Sequence, residues 1–135
     1  MEQLRYQQRF ENFKRAFAQL ERFMQHPNLN EMEAQGLIKA FEYTYELSWK
    51  VLQDYLKEVK GYVDISGPNP VIKQSFQDNI ISNGTDWMKM HKSRNLTSHV
   101  YDEEIANDIV QDIRSIYFGL FLDFKNKIEA EIKLS

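Results

Sequence analysis

The sequence has no cysteine, only 3 prolines and 5 glycines in 135 residues, and no apolar run approaching 18 residues. Each shortage excludes something. Without cysteine there is no disulfide scaffold, no thiolate zinc site and no cysteine nucleophile, and nothing argues for secretion. Low proline and glycine exclude collagen-like and low-complexity chains. The missing long apolar run excludes a membrane-spanning helix. The opening Met1 to Tyr6 has no basic stretch followed by an apolar one, so a signal peptide is not expected there and a cytoplasmic setting is. Strong charge of one sign is also absent: 17 basic and 20 acidic residues leave a net charge of -3. That average speaks against a broad nucleic-acid surface. What is present is 42% hydrophobic and 13% aromatic residues, enough apolar surface for one ordered domain over residues 1–135.

The apolar residues recur at helical spacing. Tyr6, Phe10, Phe13, Phe17, Leu20 and Met24 draw one stripe, and Pro27 ends it. Asn30 and Glu33 have capping-box spacing, and a second helix runs from there to about Lys60 through Leu37, Phe41, Tyr45, Trp49, Leu52, Leu56 and Val59. The loop from Gly61 to Asn69 leads to a short third helix, expected to open at Pro70 and extend to Ile81, before Ser82-Asn83-Gly84 breaks it. Thr85 is expected to cap a further helix that turns Trp87, Met88 and Met90 inward. Asp102 is expected to cap the last one, lined by Ile105, Ile109, Ile113, Ile116, Leu120, Phe124 and Ile128. No segment alternates at period two for long enough to be a strand. The expectation is an all-α, antiparallel four-helix-type bundle with a broken third helix. Phe10, Phe13, Phe17, Trp49 and Trp87 are assigned to its core. Tyr43, Leu47 and Tyr55 lie off the main stripe of the second helix, a face wide enough to imply a homodimer.

The chemistry concentrates between Lys89 and Asp102, where two of the three histidines lie, His91 and His99. Residues 86–101 carry Lys89, Lys92 and Arg94 against Asp86 alone, a local +2 with histidine neutral. Residues 102–135 carry 8 acids and 4 bases, a net -4. His91, Asn95, His99 and Asp102 share one helical stripe, and Arg94, Ser98 and Tyr101 share the next. On an unbroken helix Arg94 and His99 would stand about 140° apart. A shared site therefore needs the helix to open near Thr97 or to be assembled across a dimer axis. Histidine transfers protons near neutrality, and arginine offers a fork of donors suited to phosphate or a pentacovalent phosphorus. Such a set serves metal-independent RNA cleavage or simple nucleotide binding. It also has a plainer reading, in which His99 bonds Asp102 or Asn95 and Arg94 pairs with an acid on a neighbouring helix. His91 and His99 are about 12 Å apart along a helix, too far to share a metal. Ser98 beside His99 lacks a nucleophile elbow. Glu42 and Glu46, one turn apart on the second helix, read either as a solvated face or as neighbours of this cleft.

The run Arg94-Asn-Leu-Thr-Ser-His-Val-Tyr101 resembles the HEPN superfamily signature, an arginine followed after four to six residues by a histidine. More narrowly it resembles the Arg-x4-His-x-Tyr pattern of the nucleotidyltransferase substrate-binding proteins. Phe41 to Lys50, Pro70 to Phe76 and Gly84-x-x-Trp87-x-x-Met90 are similar to that family's flanking blocks, and the likeness runs from about residue 5 to 125. The resemblance implies an all-helical dimer whose partner is a minimal nucleotidyltransferase encoded by a neighbouring gene. It admits two accounts. In one the chain is a non-catalytic subunit that binds the substrate or nucleotide. In the other it is a toxin-like RNase with Arg94 and His99 as catalytic residues, silenced when the partner transfers AMP to Tyr101. Asn95, Ser98 and Asp102 would then support the site or bind phosphate, with RNA or a nucleotide as ligand and no metal or other cofactor.

Overall fold

The structure is a computed structural model that describes residues 3–135. Six helices succeed one another: α1 Arg5–Met24, α2 Glu31–Glu58, α3 Pro68–Gln77, α4 Gly84–Leu96, α5 Glu103–Asp112 and α6 Phe118–Leu134. No strand occurs among the described residues. The expected all-α bundle with a broken third element is what forms.

Aromatic packing sets the helix directions. Phe10, Phe13 and Phe17, each at most 1% exposed, interleave with Phe118, Phe121 and Phe124 of α6. The earliest α1 residues meet the latest α6 ones, so the two run antiparallel. Tyr6 lies edge-on to Tyr55, and Arg9 pairs with the buried Asp54 at 2.7 Å, joining the start of α1 to the end of α2. Each fully buried phenylalanine contributes about 1.5–3 kcal/mol, so this stack is the main adhesive of the bundle.

The caps at Asn30 and Asp102 form as expected. Asn30 accepts from the Glu33 amide while the Glu33 carboxylate accepts from the Asn30 amide, and Asp102 accepts from the amides of Glu104 and Ile105. Four expectations need correction. First, α3 opens at Pro68, just after Gly67 at φ +85°, and not at Pro70. It closes at Gln77, short of Ile81, because Asn79 takes a left-handed conformation. The Ile80 amide then bonds the Ser75 carbonyl, and the Asn79 amide bonds that of Phe76. Second, α4 starts at Gly84, and Asn83, not Thr85, occupies its cap position. A Cβ at Gly84 would come within 2.9 Å of the Phe76 ring, so only glycine allows α3 and α4 to close up here.

Third, the last helix is not continuous in register. Ile113–Tyr117 form a π-helical turn between α5 and α6. The wider turn rotates the whole of α6, so Tyr117 and Phe121 are buried whereas Ile116 is only partly so. Fourth, Trp49 is half-buried and not core. Much of the wide face of α2 also has an occupant inside the chain: Tyr55 is 3% exposed and donates to Glu131 of α6 at 3.0 Å. Tyr43, 51% exposed, stays on the outside.

Candidate functional site

Helix α4 stops at Leu96, and Thr97–His99 tighten into a single 3₁₀ turn before α5. The helix therefore opens near Thr97, one of the two arrangements under which Arg94 and His99 could belong to one site. The local cause is the buried Thr97, whose hydroxyl donates to the Arg94 carbonyl at 2.7 Å. That bond draws the chain into the tighter turn.

Arg94 is held from two sides. Its Nε donates to Glu46 Oε1 on α2 at 3.1 Å, and its Nη1 donates to Thr97 Oγ1 at 3.1 Å. The second oxygen of Glu46 accepts from the Trp49 indole Nε1 at 3.1 Å. The arginine does pair with an acid on a neighbouring helix, and Glu46 does face this cleft. Glu42, its neighbour one turn earlier, pairs with Lys39 instead.

One turn before Arg94, His91 Nδ1 lies 2.7 Å from the Tyr45 hydroxyl. Burial pushes the His91 imidazole below its ordinary value, Glu46 opposes that and Arg94 reinforces it. The Tyr45 hydroxyl is pushed well above its usual range, first by burial and then by the Glu46 charge, so it stays protonated. Behind this layer, Ser93 and Tyr117 share a hydroxyl–hydroxyl bond, and Tyr117 also donates to the Lys89 carbonyl at 3.3 Å. The π turn thus seats a tyrosine that fastens α4 from below.

His99 stands on the far side of the turn. Its Nδ1 lies 3.4 Å from the Tyr101 hydroxyl, with the rings edge to face at 6.0 Å. Tyr101 is 85% exposed. Helical stepping assigns Tyr101 to the stripe of Arg94; the 3₁₀ turn moves it beside His99 instead. Neither Asn95 nor Asp102 bonds the His99 ring. Ser98 bonds the Asn95 carbonyl within its own turn, and the Asp102 carboxylate is taken up by the α5 amides. Asn95 is exposed with no side-chain partner among the described residues. No hydrogen bond joins Arg94 to His99 among those residues either. Tyr101 also borders a groove of about 320 Å³ shared with Gln35, Val100 and Asn107. No group of three histidines or carboxylates among the described residues is placed to hold a metal ion.

The sequence reading missed Tyr45, Trp49 and Thr97 as parts of the site and left Glu46 undecided. The one available signal was the spacing of Glu46 and Trp49, i and i+3 on α2, which aligns a carboxylate with an indole N–H.

A helical bundle with this Arg–His–Tyr segment at the junction of α4 and α5 has the architecture of the HEPN superfamily. The chain belongs to the nucleotidyltransferase substrate binding protein like family, whose profile matches residues 8–130. It is 30% identical over 81 residues to a Haemophilus influenzae protein named probable ribonuclease HepT. That match covers 58% of this chain and 56% of the relative, so about half the length of that relative is spanned. Among solved structures, a Thermus thermophilus protein superposes with a TM-score of 0.79 at 27% identity, over 85% of this chain and 97% of that one. A second Haemophilus influenzae protein superposes with a TM-score of 0.76 at 22% identity, over 89% of this chain and 98% of that one. It is described as revealing the fold of a substrate binding domain of a nucleotidyltransferase, and at that identity the likeness concerns the fold.

Proposed function

We propose that this chain is a metal-independent RNase of the HEPN type, working as a homodimer beside a minimal nucleotidyltransferase that silences it by AMP transfer to Tyr101. The observation that carries this reading is the placement of Tyr101: a fully presented phenol whose oxygen lies 3.4 Å from the His99 imidazole.

In the cleavage step His99 takes the proton of an RNA 2′-hydroxyl, and the freed oxygen attacks the adjacent phosphorus. Arg94 stabilises the charge that gathers on the phosphorane oxygens. The bond to the 5′-oxygen breaks, and the imidazolium returns its proton there, leaving a 2′,3′-cyclic phosphate and a 5′-hydroxyl. In the silencing step the Tyr101 oxygen attacks the α-phosphorus of ATP held by the partner, the phenol loses its proton and pyrophosphate leaves. The resulting phosphodiester lies against His99, blocking the base and adding negative charge where RNA phosphate must approach. Support comes from the family's association with nucleotidyltransferases and from the relative named a probable ribonuclease.

The test is cleavage of total tRNA by purified, unmodified chain. The expected result is cleavage that His99→Ala and Arg94→Ala each reduce by at least about a hundredfold, in line with losing a general base or an electrostatic stabiliser. Absence of cleavage by the unmodified wild-type chain overturns the RNase reading.

A further inference from the structure

An arginine that stabilises a phosphorane must be held where the charge will develop, and a free arginine side chain samples many rotamers. The structure supplies the restraint from another helix. Glu46 reaches across from α2 to Arg94 Nε, and its other oxygen is fixed by the half-buried Trp49 indole, so the carboxylate itself has a set orientation. The Thr97 hydroxyl proton is committed to the Arg94 carbonyl, so a lone pair of that oxygen faces Arg94 Nη1. Of the five donors a guanidinium carries, these two contacts use two. The other three have no partner among the described residues, and the side chain is 29% exposed. The guanidinium is thus gripped along one edge and open along the other.

The charge matters as much as the grip. Glu46, itself 35% exposed, puts an anion 3.1 Å from the arginine in a cleft meant for phosphate. An anion there repels a ground-state phosphate and weakens initial binding. The more highly charged phosphorane gains most from a guanidinium already in place. We propose that Glu46 is a positioning residue: braced by Trp49 and assisted by Thr97, it aims Arg94 at the reacting phosphate and raises turnover at the expense of ground-state RNA affinity. This rests on the RNase reading above.

Binding and chemistry are separated by measuring tRNA affinity and the single-turnover cleavage rate for wild type, Glu46→Gln and Trp49→Phe, with thermal melts as a folding control. Glu46→Gln is expected to slow cleavage about tenfold or more, as misplacing a catalytic group does, while RNA binds as tightly or more tightly. Trp49→Phe keeps the charge and loosens its orientation, so cleavage slows with affinity unchanged. The Arg94 Nε–H resonance, slow to exchange with solvent in wild type, should exchange faster in both variants. Unchanged cleavage in Glu46→Gln, or a parallel loss of rate, affinity and melting temperature, overturns the inference and leaves the RNase reading standing. A wild-type chain that cleaves nothing overturns both.

Discussion

His91 and Arg94 lie one turn apart on α4, yet the groups that set their state come from α2: Tyr45 for the imidazole and Glu46 for the guanidinium. This has a consequence for stability. The folded chain disfavours the His91 cation, so its pKa is depressed below the ordinary 6.5. Above that pH the imidazole is neutral in both the folded and the unfolded chain. As pH falls through it, the unfolded chain takes up a proton that the folded one resists, and stability is lost on acidification. Urea unfolding at about pH 7.5 and about pH 5.5 should show that loss in wild type and a smaller one in His91→Gln; identical losses in the two would contradict the assignment. Arg94, His99 and Tyr101 were legible in the sequence because they stand in one short run. Tyr45, Glu46 and Trp49 were not, because their roles depend on which turn of α2 faces α4, a register that composition and periodicity leave open. Even Tyr101 was read onto the wrong neighbour, since 100° stepping fails once Thr97 pulls the chain into a tighter turn.

At the scale of helices, the 3–4 spacing of apolar residues and the caps at Asn30 and Asp102 were readable, and they place α1, α2 and α5. Replacing Asn30 with Ala should cost about 1 kcal/mol by denaturant unfolding, the usual effect of removing an N-cap acceptor. The π turn at Ile113–Tyr117 was hidden because Ile109, Ile113 and Ile116 continue an ordinary helical spacing straight through it. Its effect is nonetheless large. Deleting the exposed Ser115 would return the segment to α-helical register and turn everything beyond it by about 100°. Phe121, Phe124 and Ile128 would leave the α1 interface, and Tyr117 would release Ser93. That deletion is expected to abolish cooperative unfolding; a variant within about 1 kcal/mol of wild type would show that the extra residue is not what sets the α6 register. The ends of α3 were obscure for another reason: Pro68 and Pro70 both suit a first turn, and Asn79 closes the helix by a left-handed conformation open to few residues other than glycine.

For the molecule as a whole, the net charge of -3 conceals a local +2 at the end of α4 facing the acidic start of α5. The part of α2 that stays uncovered, marked by Tyr43, is smaller than the sequence suggested, because Tyr55 and Asp54 are used by α1 and α6. The homodimer is expected all the same: sedimentation at micromolar concentration should give twice the chain mass, and Tyr43→Asp should shift the equilibrium toward monomer. The central claim is that this chain is itself the acceptor of the nucleotide. Intact mass after co-expression with the minimal nucleotidyltransferase encoded beside it tests that most directly. The account predicts a gain of one or more AMP groups, mapped to Tyr101 and absent from Tyr101→Phe. An unchanged mass while the partner loads nucleotide onto a third molecule would contradict it and make the chain a substrate-binding subunit.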